Sequence, residues 1–216
     1  MYLAPVNSHS PRLRHPMFGC VATPEENRPV PDGVSWGADC GLKIAKSNDP
    51  ADVERYIDWL ETLPYDRSRC LYAVAPDVLG DAMATWRRSA PWLPLIRDLG
   101  YPAALVAQDG FDPDAVDWSL FDVLFIGGRP MLPRATEWKR SENGGYAAIR
   151  EAKRRGKWVH VGRVNGGLFL RHLAAAGADS ADGSLLTYSP EKWWPLLLRW
   201  FDAASRQPLL DLEAVS

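Results

Sequence analysis

Cysteine is scarce and scattered. Cys20, Cys40 and Cys70 are the only three in 216 residues, no two form a CxxC pair, and no histidine stands at ligand spacing from any of them. That excludes a disulfide framework as the organising device, argues against a structural zinc, and fits a reducing cytoplasm. Long apolar runs are missing too: none approaches the roughly 18 residues a membrane-crossing helix needs. The first residues also lack the apolar core of a secretory signal. The chain therefore reads as soluble and cytoplasmic. Nor is there an overall bias of charge, since 25 basic residues stand against 27 acidic ones for a net charge of -2. No global mark of nucleic-acid binding follows from that balance. With 46% hydrophobic residues the composition is that of an ordinary globular protein, and one domain over residues 1–216 is expected.

What the chain does have is a repeated grammar of short apolar segments that end in polar residues. In CLYAVAPDVLGD, from Cys70 to Asp81, the run Leu71 to Ala75 reads as a strand buried on both faces, and it passes directly into Pro76 and Asp77. AALVAQDG ends in Gln108 and Asp109, DVLFIGG in Gly127 and Gly128, WVHVGRVN in Arg163 and Asn165, and GADSADG in Asp179 and Asp182. Tyr2 to Val6 and Val34 to Ala38 add strands, the second with Asp39 and Cys40 at its mouth. Helical spacers separate most of these segments. Alternation of this kind predicts an α/β fold, either a parallel sheet or a TIM-like (β/α) barrel, with the active site gathered at the carboxyl ends of the strands.

Between the strands, Asn7 to Pro16 and Thr23 to Gly33 are polar and punctuated by proline, which predicts loops. Asp49 and Pro50 open a helix as cap and first residue, and Val53, Tyr56, Ile57, Trp59 and Leu60 supply its apolar face. A second helix starts at Asp81 and is interrupted by Pro91 and Pro94 before Gly100. Tyr146 to Arg155 predicts a third. In the tail, Trp193, Trp194, Leu197, Trp200 and Phe201 recur at helical spacing, so a packing stripe explains them better than a stacking platform.

Several residues at the strand ends carry chemistry. Asp39, between a buried strand and a glycine turn, is placed to act as a base or, more plainly, as a turn or cap residue. Gln108 offers both a donor and an acceptor, which suits the edge of a heterocyclic base. Gly127 and Gly128 let a ligand lie against bare backbone. His160 sits inside its strand and reads as a satisfied barrel residue rather than a catalytic one. Asp179 and Asp182 are three apart, so in strand geometry only one of them faces the site. Charge is also uneven: residues 129–171 hold 11 basic against 3 acidic residues, net +8. This block includes Lys139, Arg140, Arg154, Arg155 and Arg163, and it is either a solvated face or a nucleic-acid contact.

Taken in order, the motifs DCG, PDVLGD, VAQDG, FIGG, HVGRVN and GADSADGS, spread over Ser35 to Ser184, resemble the queuine tRNA-ribosyltransferase superfamily. The resemblance is closest to its short phage and bacterial DpdA-like members, which insert 7-deazaguanine bases into DNA. It implies a single (β/α) barrel that exchanges guanine in a polynucleotide for a 7-deazaguanine, by way of a bond between an aspartate and the anomeric carbon of the sugar. Carried over residue by residue, Asp182 looks like the nucleophile and Asp39 like the general acid/base. Asp77 and Gln108 look like the pair that reads the base edge, with Cys40 beside them and Gly127 and Gly128 touching the base carbonyl. Such carboxylates suit capture of an oxocarbenium-like sugar and transfer of the base proton.

The implied partners are DNA, with tRNA a weaker expectation, and a free 7-deazaguanine base; no membrane, cofactor or metal is implied. The tRNA enzymes are commonly dimers, which makes a homodimer one expectation, and a phage protein would work in the host cytoplasm. Beside such a site, Lys139, Arg140, Arg154, Arg155, Arg163 and Asn165 are expected to hold the sugar-phosphate backbone of a nucleotide that has left the stack. A deazapurine nucleoside or nucleotide N-glycosidase, and a non-catalytic nucleic-acid-binding barrel, are the alternatives. Two departures stand out. No cysteine follows Cys70, so the zinc subdomain of the tRNA enzymes is not expected, and Leu42 stands where the family offers a phenylalanine to stack on the base. Stacking is then weaker or falls to Trp36 or Val164.

Overall fold

The computed structural model describes residues 1–5, 11–26, 28–47, 49–128 and 137–206. Eight parallel strands close into a barrel in sequence order. They are β1 Tyr2–Pro5, β2 Phe18–Ala22, β3 Ser35–Ala38, β4 Cys70–Val74, β5 Ala103–Ala107, β6 Val123–Ile126, β7 Trp158–Val161 and β8 Ser180–Asp182. Closure comes from β1 against β8, which sets Leu3 opposite Asp182. Of the two α/β architectures that the strand grammar allows, the chain forms the TIM-like barrel.

Around the strands lie α1 Gly41–Lys46, α2 Pro50–Thr62, α3 Ala82–Ser89, α4 Leu93–Asp98, α5 Glu137–Arg140, α6 Gly145–Arg154, α7 Gly167–Ala176, α8 Leu185–Tyr188 and α9 Pro190–Arg206. Their starts are chemical. The Asp49 carboxylate accepts from the Ala51 amide at 2.9 Å with Pro50 as the first helical residue, and Asp81 accepts from Ala84 at 2.9 Å. Each satisfies an amide that the helix itself leaves without a partner. Among the described residues no helix is long and apolar enough to cross a membrane.

β2 and α1 were not legible in the sequence pattern. FGCVA has a glycine at its second position and follows a polar loop rather than a helix. Among the described residues, β1 reaches β2 through only the short 3-10 turn Pro11–Arg14, and no helix separates β2 from β3. The outer face of this segment is covered from the other end of the chain. Phe18 of β2 meets Trp194 of α9 at 4.3 Å between ring centroids and Phe201 at 5.8 Å. Trp200 lies against Gly167, and Leu197 is fully buried. The tail aromatics therefore pack, as their spacing predicts.

Inside the barrel, large and small residues face one another. Tyr72 of β4, Phe125 of β6 and His160 of β7 form an aromatic floor, with His160 4.5 Å from Tyr72 and 4.7 Å from Phe125 between centroids. Gly37 of β3 makes room for it, since a Cβ there would fall 2.3 Å from the Tyr72 ring.

Candidate active site

One cavity of about 530 Å³ opens at the carboxyl ends of the strands above that floor. Asp39 follows β3, Asp77 lies just beyond β4, Gln108 follows β5, Gly127 and Gly128 follow β6, Gly162 and Arg163 follow β7, and Asp182 ends β8; all of them line it. The parallel barrel does this work: strands that all run the same way bring their carboxyl ends to one rim.

Asp182 is the most elaborately held carboxylate. Its Oδ1 accepts from the Arg163 amide at 2.9 Å, and its Oδ2 lies 3.0 Å from His160 Nε2. Arg163 reaches this position with φ of 58°, the only non-glycine residue described in the left-handed region. Such a conformation costs on the order of 1 kcal/mol or more, and here it aims an amide at a carboxylate. Burial alone would raise the Asp182 carboxyl, but the His160 hydrogen bond, the Arg163 amide and Lys139 together hold it below the usual carboxylate range. Asp39 is the opposite case. Burial pushes it up to about 6, the Gly41 amide at 2.9 Å opposes that, and the nearby charges of Asp77 and Asp182 reinforce it.

Asp77 and Gln108 form a second unit. Gln108 Nε2 donates to Asp77 Oδ2 at 2.5 Å, while Gln108 Oε1 accepts from the Gly80 amide at 3.0 Å and the Gly128 amide at 2.9 Å. These contacts fix the amide's orientation and leave Nε2 one hydrogen for a ligand. Burial raises the Asp77 carboxyl against that hydrogen bond, and the Cys40 thiol sits 3.7 Å from its Oδ1. Cys40 itself is fully buried behind the cavity and acts on Asp77 rather than on a ligand. The two glycines expected to offer backbone donors have spent them internally: the Gly127 amide donates to Ala107 and the Gly128 amide to Gln108.

Comparison of the chain with protein-family models and with curated proteins gives no match.

The basic block divides between the two ends of the barrel. Lys139 is buried within the cavity wall, with Nζ donating to the Gly162 carbonyl at 2.7 Å, and burial lowers its amine to about 8. Arg163 lines the same cavity, and the exposed Arg140 lies outside it, over the Phe169 ring at 4.4 Å. Arg154 and Arg155 are elsewhere. They end α6, which runs back to the start of β7, and both pair with Glu151, at 2.7 and 2.5 Å. Arg155 also covers Trp118, ahead of β6, at 4.8 Å. An α-helix antiparallel to its strands ends at the barrel's amino-terminal face, so these two arginines cannot share a ligand with Asp182. Lys153 is there too, paired at 2.7 Å with Asp179, which leaves Asp182 as the carboxylate of that run facing the cavity.

Asn165 stands beside the rim rather than in it, its Oδ1 accepting from the Ser184 amide at 3.1 Å. Of the residues considered for stacking, Leu42 lines the cavity and is 49% exposed, whereas Trp36 and Val164 are buried away from it. Trp36 donates instead to the Asp66 carbonyl at 3.0 Å. Sequence reasoning missed Glu25 and Glu26, which line the cavity on the loop after β2, because β2 itself was not legible. Their one signal was Gly41: with φ of 78° and no Cβ, it admits the Glu25 carboxylate, which a side chain would strike at 2.2 Å. Among the described residues no three His, Cys, Asp or Glu side chains converge as a metal site.

Proposed function

We propose that the protein is a guanine transglycosylase that exchanges guanine in DNA for a 7-deazaguanine base, 7-cyano-7-deazaguanine or a close derivative, through a covalent aspartyl-sugar intermediate. The observation that carries this reading is the inequality of two carboxylates on one cavity. Asp182 is held ionised by two hydrogen bonds, and Asp39 changes protonation near pH 6. A nucleophile has to be charged at the working pH and an acid/base partner has to titrate close to it, so environments that push two acids apart assign the roles. The ordered motifs from Ser35 to Ser184 point to the same chemistry.

In the first half-reaction the Asp182 carboxylate bonds to the anomeric carbon as the bond to the guanine ring nitrogen breaks, and Asp39 supplies the proton that lets the base depart neutral. The incoming deazaguanine then attacks the same carbon, displaces Asp182, and returns its ring proton to Asp39. Atoms and charges balance over the two steps without a cofactor. Asp77, with Gln108 bracing it, presents a carboxylate to the donor edge of either base. A cavity of about 530 Å³ suits a flipped nucleotide.

The test is incubation with DNA and labelled 7-cyano-7-deazaguanine, read by nucleoside mass spectrometry. The wild-type protein incorporates one label for each guanine released. Asp182→Ala lowers incorporation by about 10⁴-fold, as loss of a covalent nucleophile does, whereas Asp77→Ala chiefly raises the base concentration required. Guanine release without incorporation would instead mark an N-glycosidase, and no release at all would remove the enzymatic reading.

A further inference from the structure

His160 does more than fill the barrel. It is fully buried, and both ring nitrogens are engaged: Nδ1 lies 2.8 Å from Ser180 Oγ, and Nε2 lies 3.0 Å from Asp182 Oδ2 and 3.2 Å from the Tyr72 hydroxyl. The network decides which nitrogen carries the hydrogen. Trp158 Nε1, which can only donate, gives its hydrogen to Ser180 Oγ at 3.1 Å. Nε2 has to be the protonated nitrogen, because a bare Nε2 would face a carboxylate lone pair. In the neutral ring Nδ1 is then the acceptor, and the Ser180 hydroxyl, which takes the Trp158 hydrogen on one lone pair, gives its own hydrogen to Nδ1.

We propose that His160 is a positioning residue for Asp182, its ring held in orientation by Ser180 and donating from Nε2, so that the carboxylate stays turned toward the cavity as a hydrogen-bonded anion. The inference deepens the transglycosylase reading and takes from it only the role of Asp182. The relay runs from the amino-terminal start of β7, across β8, to the last residue of β8. It follows from the register, which pairs His160 with Ser180 and places Asp182 two residues further along the same face. Burial keeps the imidazole neutral, lowering it against the opposing pull of Asp182. The other ionisable groups that act on the pair are Lys139 and the N-terminal amine on His160, and Lys139, Tyr2, Tyr72 and Asp39 on Asp182. Among the described contacts, the one donor to Oδ2 is His160.

Two nuclear magnetic resonance measurements test this, and neither depends on turnover. In the wild-type protein at pH 7, ring-nitrogen shifts assigned with His160→Gln should show Nε2 protonated and Nδ1 bare; the reverse tautomer, or a doubly protonated ring, overturns the proposal. The carboxyl carbon of Asp182, assigned with Asp182→Asn, should titrate below the ordinary aspartate range in the wild type. It should move up by about one pH unit or more in His160→Leu and return toward the wild-type midpoint in His160→Gln, whose amide restores a donor. A folded His160→Leu protein with an unmoved Asp182 midpoint also overturns it. Should His160→Leu fail to fold, the ring-nitrogen measurement alone decides. Failure of guanine exchange in an otherwise conforming protein would count against the transglycosylase reading and leave this inference standing.

Discussion

Each polar residue on the rim acquires its character from one or two neighbours. Asp39 and Asp182 have the same side chain and similar burial, yet they are shifted to opposite sides of the ordinary value: at Asp39 one backbone hydrogen bond stands against burial and the charges of Asp77 and Asp182, while at Asp182 two donors and Lys139 outweigh burial. The consequence for stability has a definite sign. A carboxyl raised to about 6 in the folded state ionises there later than in the unfolded chain, so folding becomes less favourable as pH rises from about 4 through about 6. Replacing Asp39 by Asn keeps an acceptor for the Gly41 amide and removes the charge. Thermal melts should therefore show Asp39→Asn more stable than wild type at pH 8 and no more stable at pH 4. An equal difference at both pH values would mean that the shift is absent. At this scale Asp39, Asp77 and Asp182 were legible, because a strand that stops at a carboxylate is visible in the letters, whereas Glu25 and Glu26 on the loop after β2 were not. The partners were not: nothing near Gln108 in sequence says that its oxygen will hold the amides of Gly80 and Gly128.

At the scale of elements, β4 to β7 could be read directly, because each is a short apolar run bounded by turn residues, interrupted only by His160 in β7. β2 could not. Its strand character comes from pairing on both sides, Gly19 with Leu3 and Ser35, and from the aromatic face of α9 that covers Phe18. Two substitutions test this packing. Phe18→Ala removes a ring that is 2% exposed and should cost about 3–5 kcal/mol in denaturant unfolding. Gly37→Ala pushes a methyl into the Tyr72 ring and should cost about 1–3 kcal/mol. Combining it with Tyr72→Leu should recover part of that loss, which a purely backbone effect of the new alanine would not allow.

For the whole molecule, the direction of the chain decides which charges can act together. A run of basic residues from 129 to 171 is one block in sequence, but α6 carries its end to the far side of the barrel. Topology alone separates Arg154 from Arg163, since a helix that leads into a strand ends where that strand begins. What the letters could not show is that Lys139 turns inward to the Gly162 carbonyl. If DNA lies across the carboxyl-end rim, Arg140→Ala should reduce the slope of log affinity against log salt by about 0.9. Reversing both Arg154 and Arg155 to Glu should leave it unchanged. Equal effects from the two ends would place the polymer elsewhere.

The seam between β1 and β8 has a further consequence for how the protein is made. A nascent chain that has not yet delivered Ser180–Asp182 holds its first strand with one flank open, and until α9 emerges the Phe18 ring has no roof. Everything from β1 through α9 must therefore be made before β1 and β2 can settle. Until then the nascent barrel is a half-rolled sheet with an open edge and an uncovered aromatic ring, the kind of surface that invites aggregation.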